Sequence, residues 1–311
     1  MRKHVLQTKQ WADFKSSYGT PSVEAGGVFY TKTKIPFTSS YFAYAVRTNP
    51  LEINFVELKK SLEKNDCIGL RLDVPNIIKG SPEEKAAIEK LEKYCQKSPR
   101  SEFAKANVLL DISKSEDELL ANMQYKHRYN IKYSQRNGVV VKAGNSPEDL
   151  EIFYKIYKDT AERQKFFPRP KIYFDKLREV FVKNDMFYVI TAFQQDKPLA
   201  SWILFTYEDT LYYPHGGSLT ENKSSHASCL LGWEAIKLGK QKGCTLFDMW
   251  GAAVDLGDEK DSYYGFTNFK LKFGGTHVVY IDTYDLVINQ NVYTMFNTAN
   301  FIRWKLLSVL R

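Results

Sequence analysis

The sequence predicts an α/β (α+β) protein made of two units, and three observations carry that expectation. Helix and strand patterns alternate through most of the chain, which disfavours an all-α or an all-β fold. Helix starts are marked by capping chemistry as well as by apolar period. At 311 residues the chain exceeds one typical core, so two domains are expected before a single large α/β domain.

Taken in order, strands are expected from Val28 to Thr33, Tyr41 to Val46, Ile68 to Asp73, Val108 to Asp111, Met186 to Phe193, Leu199 to Tyr207, Thr210 to Pro214 and Leu246 to Trp250. Most are short runs of β-branched and aromatic residues bounded by turn formers. Two tight connections, Gln194 to Pro198 and Glu208-Asp209, make residues 186 to 214 an antiparallel meander. Ser81-Pro82-Glu83-Glu84 and Ser146-Pro147-Glu148-Asp149 each set a capping serine before proline and acids, and Ser115 to Glu118 reads as a capping box. A long helix is expected from Ser225 to Lys242. The split is placed near Ala143 to Ser146, giving domains 1–144 and 145–285.

Forty-four basic against 36 acidic residues give a formal charge of +8, which favours polyanionic partners: nucleic acid, nucleotide-linked substrates or an anionic membrane surface. The four cysteines and five histidines make no C-x-x-C pair and no zinc spacing, so neither metal nor cofactor is expected. Met-Arg-Lys-His opens the chain without a signal-like apolar run, and no stretch approaches the ~20 apolar residues that span a bilayer. A cytoplasmic protein with reduced thiols is the expectation.

Four constellations carry chemistry. Phe247-Asp248-Met249-Trp250-Gly251 ends a strand in glycine, and after a polar loop comes Phe269-Lys270-Leu271-Lys272-Phe273-Gly274-Gly275. Flanked by Phe269 and Leu271, the Lys270 ammonium is expected to be partly desolvated, where it stabilises negative charge better than in water; the plainer alternative is a pair of lysines solvating a short helix. Tyr125 to Arg136 is the most basic helix. Arg128, Lys132 and Arg136 form one stripe with Lys126 nearby, and Tyr125, Tyr129 and Tyr133 form the adjoining stripe, a face suited to RNA phosphates; here the alternative is a solvated basic face with the tyrosines turned inward. Arg163 ends a long helix where its guanidinium can fork onto a phosphate or carboxylate, or pair with Asp159. Lastly, Tyr212-Tyr213-Pro214-His215-Gly216-Gly217-Ser218 ends a strand where a ligand can approach the backbone closely. Phosphate-loop, dinucleotide, H-E-x-x-H and G-x-S-x-G motifs are all missing.

The meander, long helix and following strand are in the order of GNAT-type acyltransferase domains, and the first half has a looser version of it. The R/Q-x-x-G-x-G/A loop for coenzyme A is missing, which disfavours acetyl-CoA as donor. Taken with Leu6-Gln7-Thr8, Trp11, Lys34-Ile35-Pro36, Tyr41 to Tyr44, Arg136-Asn137-Gly138, Thr160 to Arg163 and Leu231 to Ile236, these motifs resemble the Fem family of peptidoglycan aminoacyltransferases nearly end to end. The resemblance implies two GNAT-like domains, with a C-terminal helix (286–311) returning to the first, in a compact form without a coiled-coil arm. It implies aminoacyl-tRNA as donor and UDP-MurNAc-pentapeptide or lipid II as acceptor. By the same likeness Lys270 and Phe269 lie at the reacting ester. Lys34, Thr160, Arg163, Tyr213 and His215 bind the precursor, although His215 and Phe167 stand where the family favours tyrosine or another aromatic hydroxyl. The expected cytoplasmic location includes peripheral contact with the inner face of the membrane. Two other readings stay open: aminoacyl transfer to a protein or lipid acceptor, and a non-catalytic RNA- or membrane-surface module using the basic helix and the Phe301 to Leu307 tail.

Overall fold

The computed structural model describes residues 2–220 and 222–309, leaving out the side chains of 222–223 and 304–309. Two compact units emerge: residues 1–105 with 279–311, and residues 106–278. The boundary therefore falls at 105/106 rather than at the expected 144/145. The reason is strand pairing: Ala106–Asp111 and Val139–Gly144 both join the second sheet.

In the first unit the strands are β1 (Ser22–Ala25), β2 (Val28–Lys34), β3 (Tyr41–Val46), β4 (Cys67–Asp73) and the two-residue β5 (Gln96–Lys97). Helices α1 (Lys9–Ser17), α2 (Phe55–Lys64) and α3 (Glu84–Tyr94) accompany them. The last strand of the chain, Tyr284–Val287, inserts between β4 and β5. Tyr30, Leu58, Leu62, Leu70, Leu72, Leu91, Tyr284 and Leu286 share the core between this sheet and its helices. Helix α3 starts at Glu84, later than Ser81-Pro82 predicts. Ser81 instead closes a turn by accepting from Glu84 N, while the Glu84 carboxylate accepts from Gly80 N.

One polar knot crosses this apolar core. Arg71 and Asp285 face each other in register on adjacent strands, both fully buried, and the guanidinium forks onto the carboxylate at 3.0 and 2.9 Å. Ser98 Oγ and Tyr293 Oη also donate to Asp285. Tyr293 belongs to the C-terminal helix Gln290–Val309, whose Val292 and Phe296 pack with Phe42 and Ile68. The helix thus returns to the first unit, as expected. Met295, Phe301 and Ile302 on it are exposed; of the tail singled out in the sequence, the side chains of 304–307 lie outside the described residues.

The second unit adds β6 (Ala106–Asp111), β7 (Val139–Gly144), β8 (Phe187–Gln194), β9 (Lys197–Tyr207), β10 (Thr210–Ser218), β11 (Leu246–Ala252) and β12 (Thr276–Val279) in the order β12-β6-β11-β10-β9-β8-β7. Its helices are α4 (Glu116–Asn122), α5 (Tyr125–Arg136), α6 (Pro147–Gln164), α7 (Lys171–Phe181), the single turn α8 (Asn222–Ser225), α9 (Ala227–Gln241) and α10 (Tyr264–Leu271). The capping box of Ser115 with Glu118 forms as predicted, and Ser146, expected as a capping serine, forms a second one with Asp149. Strands β8 to β10 make the antiparallel meander. Helix α9 then crosses over so that β11 pairs parallel to β10, which is the expected meander, helix and strand order.

Candidate functional site

Parallel pairing of β10 and β11 is in register at Thr210 with Leu246, Leu211 with Phe247 and Tyr212 with Asp248. Beyond that point each strand bulges against its other neighbour, β10 between Tyr212 and His215 and β11 between Asp248 and Gly251. A bulge re-aims the residues that follow it. Trp250 takes a left-handed backbone at φ 66°, and its N–H donates to Asp248 Oδ1 at 2.7 Å. Asn107 Nδ2 from β6 lies 2.8 and 3.0 Å from the two oxygens of that buried carboxylate. Asp248 thereby holds the β11 bulge in shape.

Lys270 comes in from α10. It is only 7% exposed, and its ammonium donates to Gly251 O at 2.6 Å and stands 5.8 Å from the Tyr213 ring centre. Its other two N–H groups have no hydrogen-bond partner among the described residues. Burial pulls the Lys270 pKa down to about 8, and the Asp248 charge works against that pull. At neutral pH the group is thus mostly cationic, sparsely hydrated and short of acceptors. Of the two readings for Lys270 in the sequence, the desolvated cation is the one observed.

The surrounding wall is aromatic. Tyr213 stacks on Trp202 at 3.9 Å, and Trp202 meets half-buried Phe269 edge-on. Gly216 is needed there because a Cβ would lie 2.2 Å from the Tyr213 hydroxyl and 2.7 Å from Trp202. His215 is enclosed by Phe174, Tyr157 and Tyr173. Burial, then the Arg169 charge, pushes its pKa down to about 3, so it is neutral. Burial likewise raises the Tyr213 phenol well above its ordinary value.

The other predicted site residues separate into engaged and available groups. Thr160 Oγ donates to Ile156 O and accepts from Ser218 N, so its hydroxyl ties α6 to the end of β10 instead of facing a ligand. Arg163 is exposed at the end of α6 and donates to Ser218 O. Lys34 is exposed at the end of β2 in the first unit. On α5 the buried face is His127, Asn130, Ile131 and Ser134. Tyr125 and Tyr129 are therefore exposed beside Lys126, Lys132 and Arg136, and the idea of tyrosines turned inward is corrected. Arg128 departs from the basic stripe: its guanidinium donates to the carbonyls of Leu120, Ala121 and Met123 and caps the end of α4. Asn107, Trp202 and His127 were not legible as site residues, because strand and helix packing, not local spacing, brings them to the site.

Residues 1–193 and 189–300 match the sequence profile of the FemAB family. The chain belongs to the FemAB family. Among curated relatives of this FemAB member, the UDP-N-acetylmuramoylpentapeptide-lysine N(6)-alanyltransferase of Weissella viridescens is 30% identical over 189 residues, which cover 60% of this chain and 54% of that protein. The lipid II:glycine glycyltransferase of Staphylococcus epidermidis is 22% identical, with 60% of this chain and 59% of that protein covered. The FemAB chain thus spans little more than half the length of the curated relatives it matches. The crystal structure of FemX superposes with a TM-score of 0.80 at 16% identity over 94% of both chains. The C-terminal domain of a putative lysylphosphatidylglycerol synthetase from Agrobacterium fabrum gives 0.61 at 12% identity over 90% of this chain and 88% of that one. These structural likenesses bear out the fold.

Proposed function

We propose that this chain transfers an amino acid from aminoacyl-tRNA onto the stem peptide of a peptidoglycan precursor, UDP-MurNAc-pentapeptide or lipid II, forming the interpeptide bridge. The observation that carries the reading is Lys270, a buried cation with two N–H groups unpaired among the described residues, where β10 and β11 bulge apart, in a family whose relatives are named for aminoacyl transfer to such precursors. An amino acid esterified to tRNA is already activated, so the enzyme's task is to align the acceptor amine with the ester carbonyl. Lys270 then meets the tetrahedral oxyanion or the departing ribose oxygen. His215 and His127 do not suit a general base, since both are packed among rings, and Asp248 is occupied by Asn107 and Trp250 N. The amine proton passes to substrate groups or water. Arg163 supplies an exposed cation for the pyrophosphate of the precursor, with Tyr213 lining its pocket and Phe269 beside the reacting ester. The reaction needs no cofactor and takes place in the cytoplasm.

The outer face of α5 is the RNA contact of this reading. Lys132→Glu with Arg136→Glu is expected to weaken tRNA binding and to lower the salt slope of log K by roughly 0.7 to 0.9 per lost phosphate contact. Arg128→Ala leaves that slope unchanged, because Arg128 is spent on α4. Filter binding across a salt series checks both. The reading itself is tested by mixing the protein with charged tRNAs and UDP-MurNAc-pentapeptide and looking by mass spectrometry for a one-residue gain that ribonuclease abolishes. A gain without charged tRNA, or none with either the soluble or the lipid-linked acceptor, would sink it.

A further inference from the structure

We propose that His127 is a positioning residue for Lys270, an aromatic brace that locks the cationic helix α5 to the helix that carries the acyl-transfer lysine. The proposal rests on the reading of Lys270 above. Two kinds of contact join α5 to α10. Gln124 N, just before α5, donates to Lys272 O just after α10 at 3.0 Å. One turn into α5, the His127 ring stands edge-on to Phe273 at 4.7 Å and 89°, and meets Phe269 at 5.3 Å and 60°. Phe269 and Phe273 meet each other at 5.3 Å and 80°, closing a triangle of rings around the residues that flank Lys270. Phe273 is fully buried against α9, where Gly232 makes room: a Cβ there would lie 2.3 Å from its ring.

Helix α10 has eight residues and no side-chain cap, too short to hold its shape without packing. The pose of Lys270 therefore depends on what walls in Phe269 and Phe273. His127 does this as a ring and not as an acid or base. Burial lowers its pKa to about 4, the Lys272 charge and the neighbouring His226 add to the effect, and its Nε2 lies 3.9 Å from Cys229 Sγ. The same helix turns Lys132 and Arg136 to solvent, so a polyanion seated on its outer face rests on an element bolted to the reacting lysine.

His127→Ala opens a void behind Phe269, whereas His127→Phe keeps a ring of similar size. Competitive acetylation of the intact protein with acetic anhydride, read by mass spectrometry over a pH series, gives the titration midpoint of Lys270 without tRNA or precursor. The midpoint is expected at about 8 in the native protein and at nearly the same value in H127F. In H127A it moves up towards the ordinary lysine range, and kcat falls roughly tenfold or more with KM for UDP-MurNAc-pentapeptide unchanged. An unmoved midpoint in a folded H127A overturns the proposal. Should H127A not fold, H127F decides alone: a native midpoint and kcat uphold the brace, and loss of both overturns it. Native protein that transfers nothing, while the midpoint still moves in H127A, counts against the aminoacyl-transfer reading and for the brace.

Discussion

Replacing Lys270 by methionine is expected to cut turnover about 10²- to 10³-fold, the range for removing one preorganised oxyanion donor, with precursor affinity nearly unchanged. Methionine keeps the length and apolar stem of the side chain, so the packing of Phe269 and Phe273 persists while the charge is lost. The variant should also be more stable. The folded-state pKa of about 8 lies below the ordinary lysine value, so burying the cation opposes folding. That cost is fully present below pH 8 and is relieved as pH rises from about 8 towards the unfolded value near 10.4, at about 1.4 kcal/mol for each pH unit. Wild-type stability therefore gains over that window, and the methionine variant shows no such gain. The freed Gly251 carbonyl takes back part of the benefit, about 1 kcal/mol. Urea titrations at neutral and alkaline pH, alongside steady-state kinetics, measure both effects. A variant that loses activity together with stability would mean that Lys270 is structural.

The second large effect lies in the first unit. Asp285→Ala strands the Arg71 guanidinium, which has 0% side-chain exposure, in the core, and the expected loss is about 3 to 5 kcal/mol. Glu102 lies 3.3 Å from the same guanidinium but is half exposed, so it replaces little of the lost partner. Tyr293 loses its acceptor too, so amide exchange should quicken first in the C-terminal helix. Replacing Arg71 and Asp285 together by leucine and methionine is expected to recover much of the loss, because no charge is then buried alone. Urea denaturation of the single and double variants checks this. Equal destabilisation by both would show that shape, not charge pairing, holds the site.

How far the sequence disclosed this molecule follows from which forces are local. Ser146 with Asp149 and Ser115 with Glu118 satisfy helix ends within four residues, and both were read correctly. Ser81-Pro82 has the same letters, yet the chain forms a turn there and the helix waits until Glu84. Most strands with apolar runs are legible, but Tyr284–Val287, a short buried strand inside the first sheet, is not. Ser22–Ala25, Gln96–Lys97 and Thr276–Val279 were missed, being short strands at sheet edges with few buried residues to mark them. Val139–Gly144 was missed as well, and that omission moved the expected domain boundary past β6 and α5. At the site, Lys270 stood out because its apolar neighbours and paired glycines adjoin it in the chain. Asn107 reaches Asp248 only through the pairing of β6 with β11, and Arg128 reaches the end of α4 only by folding back, so neither role leaves a periodic trace.

The central claim is that Lys270 acts as a cation at the acyl-transfer step. Its most direct test is the ratio of wild-type to Lys270→Met turnover from about pH 6 to about pH 10, since deprotonation of the acceptor amine affects both enzymes and cancels. The ratio is predicted to be flat at neutral pH and to fall as pH rises through about 8, where Lys270 loses its charge. A ratio that climbs through the same range would mean that the neutral amine is the active form, and would contradict the account.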